Sequence, residues 1–306
     1  MTPDEHTISE SFLDVGDSHS LYIHEWGYKE AKHSIIFLHG GPGAGTGDKH
    51  KLLFNPKTQR VIFFDQRGCG KSLPHGSLKH NTTADLVEDI ERIAKHVPLT
   101  SFILAGSSWG TTLAFAYGLK YPKRVEAMVL RGILTCSRSE IDWLDQGHWS
   151  VHFPEVWDTY LDQTPKTYQA NPTAYHSKRA LSANEQAAKL SAYAYNNVEA
   201  ALLSLDDRFT PQPFTDYDPT STRIEMFYTA NRAFMPERYI IKNAHKLTMP
   251  IWLIQGRYDM VCPPVTAYEM QHKLPNSRLI LTMAGHGNDR SNYEIAKTIL
   301  AELTHV

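Results

Sequence analysis

"FILAGSSWGTTLAF" occupies residues 102–115. An apolar run from Phe102 to Ala105 stops at Gly106, and helix-forming small and apolar residues follow from Trp109. A chain that turns from a buried strand into a helix over so few residues exposes one side chain at the turn. It also crowds the backbone two residues before and two residues after that position. Only small residues fit there, which is the mechanical basis of the pattern G-x-S-x-G. Centred on Ser108, the flanking residues are Gly106 and Gly110. Centred on Ser107, they are Ala105 and Trp109, and the indole would clash. Ser108 is therefore the candidate nucleophile.

The segments on either side give this turn a setting. Residues 33–39 ("HSIIFLH") and 60–65 ("RVIFFD") are continuous apolar runs ending at turn-forming residues. Residues 82–97 carry apolar side chains at helical spacing behind a threonine cap, with acids in the first turns. Residues 101–106 and 124–132 read as strands and 111–121 as a helix, so strands and helices alternate as in a parallel sheet covered on both faces. From 137 to 245 the pattern changes to helices and loops rich in aromatic and charged residues. It then returns with a strand at 249–256, a helix at 264–274, a strand at 277–283 and a helix at 289–304. The reading is an α/β fold with a mostly parallel central sheet and helices on both faces. Residues 1–136 and 246–306 form its core, and 137–245 form an inserted helical cap that selects substrate.

Bulk composition narrows the function. Hydrophobic residues make up 42% and charged residues 21% of 306, and the net charge is −2. With no long run of one sign, neither nucleic acid nor an anionic membrane is an expected partner. Three widely spaced cysteines argue against a disulfide framework or a zinc cluster. The polar N-terminus has no apolar signal segment, so a cytoplasmic location is expected. No metal or cofactor is implied, and a homo-oligomer is left open.

A serine nucleophile needs a base, an acid to orient the base, and donors for the developing oxyanion. In this type of sheet the chain order is Ser, acid, His. "QGRYDMVCP" offers Asp259 just beyond a late strand, and "MAGHGND" offers His286 after the last strand. Both stand at carboxyl ends of strands, where open α/β sheets gather their reactive groups. The backbone N–H of Trp109 follows the nucleophile and is one expected oxyanion donor. The other comes from the glycine-rich "HGGPGAG" (39–45), with Gly41 as the donor. That loop lacks the GK[ST] of a phosphate loop.

With these residues in place, the chain resembles the proline iminopeptidases of the α/β-hydrolase fold. The likeness runs through "HGGPGAG", "FFDQRGCGKS" (63–72), "GSSWGTTLAFAYGLKYPKRV" (106–125), "LRGILTCSRSEIDW" (130–143), "TRIEMFY" (222–228), "GRYDMVCP" (256–263) and "GHG" (285–287). It implies removal of an N-terminal proline from a peptide by Ser108, Asp259 and His286. It also implies that cap carboxylates hold the substrate's free amino group. The family's R-I-E segment maps one of these to Glu225. A W-E pair supplies the other, and here Asn196 and Asn197 stand in its place, with Glu199 half a turn further on. Glu225, Glu199, Asn196 and Asn197 are thus the substrate-binding candidates. An amide in place of a carboxylate weakens attraction for an ammonium. An esterase or amidase for a small substrate without a free amine therefore remains the alternative. A non-catalytic binding protein is the less favoured one, since all three triad residue types are retained.

Overall fold

The apolar runs seen in the sequence become the centre of an eight-stranded sheet. The computed structural model of the protein describes residues 4–203, 205, 210–287 and 290–305. Its strands are β1 (Thr7–Gly16), β2 (His19–Gly27), β3 (Ser34–Leu38), β4 (Arg60–Phe64), β5 (Phe102–Ser108), β6 (Val125–Ile133), β7 (Ile251–Gly256) and β8 (Ser277–Thr282). They lie in the order β1-β2-β4-β3-β5-β6-β7-β8. Pairing from β4 through β8 is parallel, while β1 and β2 are antiparallel to their neighbours. Every residue of β3 is buried, as expected of a strand covered on both faces.

The β1–β2 hairpin was not anticipated from the sequence. Its strands mix apolar with polar and charged residues, and β1 alternates half-buried with exposed positions at the sheet edge. In β2 the buried Glu25 accepts a hydrogen bond from Arg60 Nε at 2.7 Å. That pairing lets a charged residue sit in a covered strand.

Three helices precede the middle of the sheet: α1 (Asp48–Lys51), α2 (Thr83–His96) and α3 (Trp109–Lys120). Between β6 and β7 lie α4 (Arg138–Asp145), α5 (Pro154–Asp162), α6 (Pro172–Ala180), α7 (Glu185–Leu202), α8 (Thr220–Ala230) and α9 (Tyr239–Asn243), with no strand among the described residues of that stretch. The core closes with α10 (Pro264–Lys273) and α11 (Arg290–Thr304). One apolar layer packs α2, α3 and α10 on one face of the sheet, and a second packs α11 on the other. The helical insert has its own core around Trp149, Tyr160, Tyr195 and Met226. It is fastened to the sheet's carboxyl end by Trp143, whose Nε1 donates to the Met260 carbonyl at 2.8 Å. Among the described residues, no helix is long and apolar enough to cross a membrane.

Candidate active site

Ser108 ends β5 and precedes α3 with φ 55° and ψ −125°, a conformation that costs a non-glycine residue energy. The flanking glycines allow it. A Cβ on Gly106 would lie 2.8 Å from the Gly110 carbonyl oxygen, and one on Gly110 would lie 2.2 Å from that of Leu38. Neither position admits a side chain.

Trp109 opens α3, so its backbone N–H belongs to the helix's first turn, where donors lack an internal acceptor. Its fully buried ring turns away from the elbow. Nε1 donates to Gln66 Oε1 at 2.9 Å, and the ring meets Tyr228 edge-on with centroids 4.8 Å apart. Gln66 in turn donates from Nε2 to the His39 carbonyl, and from its backbone N–H to His39 Nε2, each at 3.0 Å. His39 Nδ1 lies 2.9 Å from the Gly40 carbonyl. A ring that donates from Nδ1 and accepts at Nε2 is neutral, and burial holds the His39 pKa below its ordinary value. Gln66 thus couples the loop carrying Gly41 to the elbow carrying Ser108.

Asp259 lies just beyond β7. Its Oδ2 is 2.8 Å from His286 Nδ1 and accepts from Gln255 Nε2 at 3.0 Å. Its Oδ1 accepts from the backbone N–H groups of Val261 at 3.0 Å and Cys262 at 2.7 Å. Gln255 is fully buried, and its Oε1 accepts from Ile133 N–H at 2.7 Å. The carboxylate is therefore fixed from three sides as it meets the imidazole. Burial pushes the His286 pKa down, but the charge and hydrogen bond of Asp259 outweigh it, and the net shift is upward.

Ser108 and His286 line one cavity of about 350 Å³, together with Gly41 and Trp109. The insert supplies another part of its lining. Glu199 of α7 and Glu225 of α8 both face it, with their carboxyl groups in hydrogen-bonding contact. Burial raises both pKa values, and the charge of Glu199 raises that of Glu225 further. The two carboxyls therefore hold a proton between them. A third carboxyl, Asp145 at the end of α4, lines the same cavity. Burial, then Asp142 and Glu199, push its pKa up to about 7. Leu134, Ile141, Leu144 and Val261 add apolar surface to the same cavity.

Comparison with known proteins places this geometry in a family. The family model described as the alpha/beta hydrolase fold matches residues 33–288. The proline iminopeptidase of Arabidopsis thaliana is 35% identical over 91% of this chain and 75% of its own length. That of Neisseria gonorrhoeae is 33% identical, covering 90% of this chain and 89% of its own. The chain belongs to the proline iminopeptidase family. Among solved structures, the proline iminopeptidase of Mycobacterium smegmatis aligns with a TM-score of 0.63 at 20% identity, over 97% of this chain and 98% of the other. An esterase of Exiguobacterium antarcticum aligns with a TM-score of 0.62 at 18% identity, over 97% and 100%. Both likenesses show the shared fold.

This family member departs from the sequence expectations at one candidate residue. Asn196 lines the catalytic cavity, but Asn197 lines a second cavity inside the insert, beside Phe153 and Tyr160. The reason is helical geometry. Positions 196 and 199 are three apart on α7 and share a face, while 197 is rotated about 100° from 196. Of the insert's aromatic residues, Tyr228 is the one lining the catalytic cavity among the described residues. The others build the insert's interior and its ties to the core.

Gly132, Gln255 and Asp145 are site residues that sequence reasoning missed. Gly132 has φ +60°, and a Cβ there would lie 2.9 Å from His286 Cε1 and 3.1 Å from its Nδ1. Gly132→Ala is expected to displace the imidazole and lower kcat by about 10²-fold, the usual penalty for a misplacement of roughly an ångström. A variant with wild-type kcat would show that the ring has room to spare. The motif "LRGI" marked this stretch, but only the fold brings its glycine against a histidine 154 positions later in the chain.

Proposed function

We propose that the protein is a serine aminopeptidase that releases N-terminal proline from short peptides. The observation that carries this reading is the contact between Glu199 and Glu225 in the cavity that Ser108 also lines. Two buried carboxyls sharing a proton form a costly arrangement that a substrate ammonium relieves, because a cation between them restores both charges. In the reaction His286 takes the proton of Ser108 as its oxygen attacks the prolyl carbonyl. Asp259 stabilises the imidazolium, and the N–H groups of Trp109 and Gly41 receive the oxyanion. The imidazolium then protonates the leaving amine. Water, activated by the same histidine, releases proline and regenerates the serine. The wall of Ile141, Leu144 and Val261 receives the pyrrolidine ring. A cytoplasmic location belongs to the same reading and suits the three free cysteines.

Assays of prolyl p-nitroanilide, its N-acetyl derivative and p-nitrophenyl acetate test this. The free-amine anilide is expected to be cleaved at least about 10²-fold faster in kcat/KM than the acetylated one, because acetylation removes the ammonium. Cleavage of the ester without cleavage of the prolyl anilide would reassign the protein as an esterase. The pH dependence follows from His286. Its raised pKa keeps it protonated, and so unable to act as a base, to a higher pH than a free histidine. The acid limb of kcat is therefore expected to lie above pH 6.5, the ordinary histidine value. A limb below that value would contradict the Asp259 pairing.

A further inference from the structure

The catalytic cavity is lined by charges of both signs, drawn from different parts of the chain. The insert contributes Asp145, Glu199 and Glu225, while the sheet side contributes Lys49 and Arg131. Arg131 is 7% exposed, and its guanidinium stacks on the ring of Tyr293 from α11, 4.0 Å from the centroid. Among the described residues, no carboxylate forms an ion pair with either cation. The other deeply buried arginine shows the contrast. Arg67 clamps Asp89 with two hydrogen bonds of 2.7 and 2.9 Å. Arg131 has Tyr293 as its partner in place of a carboxylate, and its planar fork matches the carboxylate of a ligand. Lys49, exposed at the cavity rim, adds a second positive charge on the same side. His50, next to Lys49 in the chain, lines the same cavity and is held neutral with a pKa of about 4 by burial and then by Lys49, His39 and Arg131.

We infer that the Arg131–Lys49 side of the cavity receives the C-terminal carboxylate of a short peptide whose ammonium lies between Glu199 and Glu225. This inference rests on the aminopeptidase reading above and adds a length preference to it. The order of groups in a free dipeptide is ammonium, scissile carbonyl and carboxylate. One cavity brings together a group for each: the glutamate pair, Ser108 and the two cations. A longer peptide puts a neutral amide where the dipeptide has its charge. Free dipeptides beginning with proline are thus the preferred substrate class.

Three substrates test the inference: prolyl-alanine, prolyl-alaninamide and prolyl p-nitroanilide, assayed at low ionic strength. The free acid is expected to exceed the amide at least about tenfold in kcat/KM, the worth of one charge-assisted contact. Lys49→Ala and Arg131→Gln are each expected to move that ratio towards one, whereas Arg131→Lys keeps much of it. General damage to the fold lowers both substrates alike and leaves the ratio in place. A wild-type ratio near one, with the anilide cleaved, overturns the carboxylate site and leaves the aminopeptidase intact. A high ratio that neither variant lowers assigns the preference to other residues and also overturns the inference. No cleavage of any of the three removes the function and the inference together.

Discussion

Ser108→Ala is expected to lower kcat on prolyl p-nitroanilide by at least about 10⁴-fold, since losing a nucleophile that works with a base removes most of the acceleration. What persists comes from the oxyanion donors and the binding cavity, which the substitution leaves in place. The same position carries a second expectation that concerns stability. Ser108 is held at φ 55°, and alanine inherits that strain unchanged. Glycine does not, so Ser108→Gly is expected to exceed Ser108→Ala in unfolding free energy by about 1 kcal/mol, before any loss from greater unfolded-state freedom. Calorimetry of the two variants at one pH measures the difference. Retention of more than a tenth of the wild-type rate by Ser108→Ala would remove the serine from the chemistry. Equal stability of the two variants would show that the elbow stores little strain.

Much of this site was legible because its parts are local. The elbow is a five-residue pattern with its own steric logic, and β5 and α3 on either side of it are strongly apolar. Asp259 and His286 follow strand ends, and a strand end can be read from where an apolar run stops. Legibility failed where function depends on which face of an element points inward. Asn196 and Asn197 are indistinguishable as text, yet one step along α7 sends them to different cavities. Glu199 was a nearby carboxyl in the sequence, and only the packing of α7 against α8 brings it to Glu225. Gln255 and Gly132 were invisible for a related reason. Each acts through a partner that is distant in sequence, and a lone glutamine or glycine in a strand carries no mark of it. The β1–β2 hairpin was missed because neither the edge strand β1 nor β2, interrupted by His24 and Glu25, carries the continuous apolar run that identifies the central strands.

Glu225→Gln is expected to weaken catalysis and strengthen the fold at the same time. Replacing one carboxyl of the pair removes a charge-assisted contact with the prolyl ammonium, so kcat/KM on prolyl p-nitroanilide should fall about 10- to 100-fold. The gap between the free-amine and N-acetyl substrates should narrow in the same proportion, which general damage to the protein would not produce. The stability effect has a definite sign. Burial and Glu199 raise the Glu225 pKa well above its usual 4.5. A group raised in the folded state gives its full stabilisation below the unfolded pKa and loses it as pH climbs through the folded value. Wild-type protein therefore loses stability towards neutral and alkaline pH at this site, while glutamine, which does not ionise, loses none. The variant's melting temperature should match wild type at about pH 4 and exceed it by a widening margin as pH rises. Such an exchange of stability for activity is what a binding site built from like charges requires, because the empty site is strained until the cation arrives. A melting-temperature difference that stays constant across pH would show that the pair is not strained. An undiminished preference for the free amine in Glu225→Gln would move amine recognition away from these two glutamates.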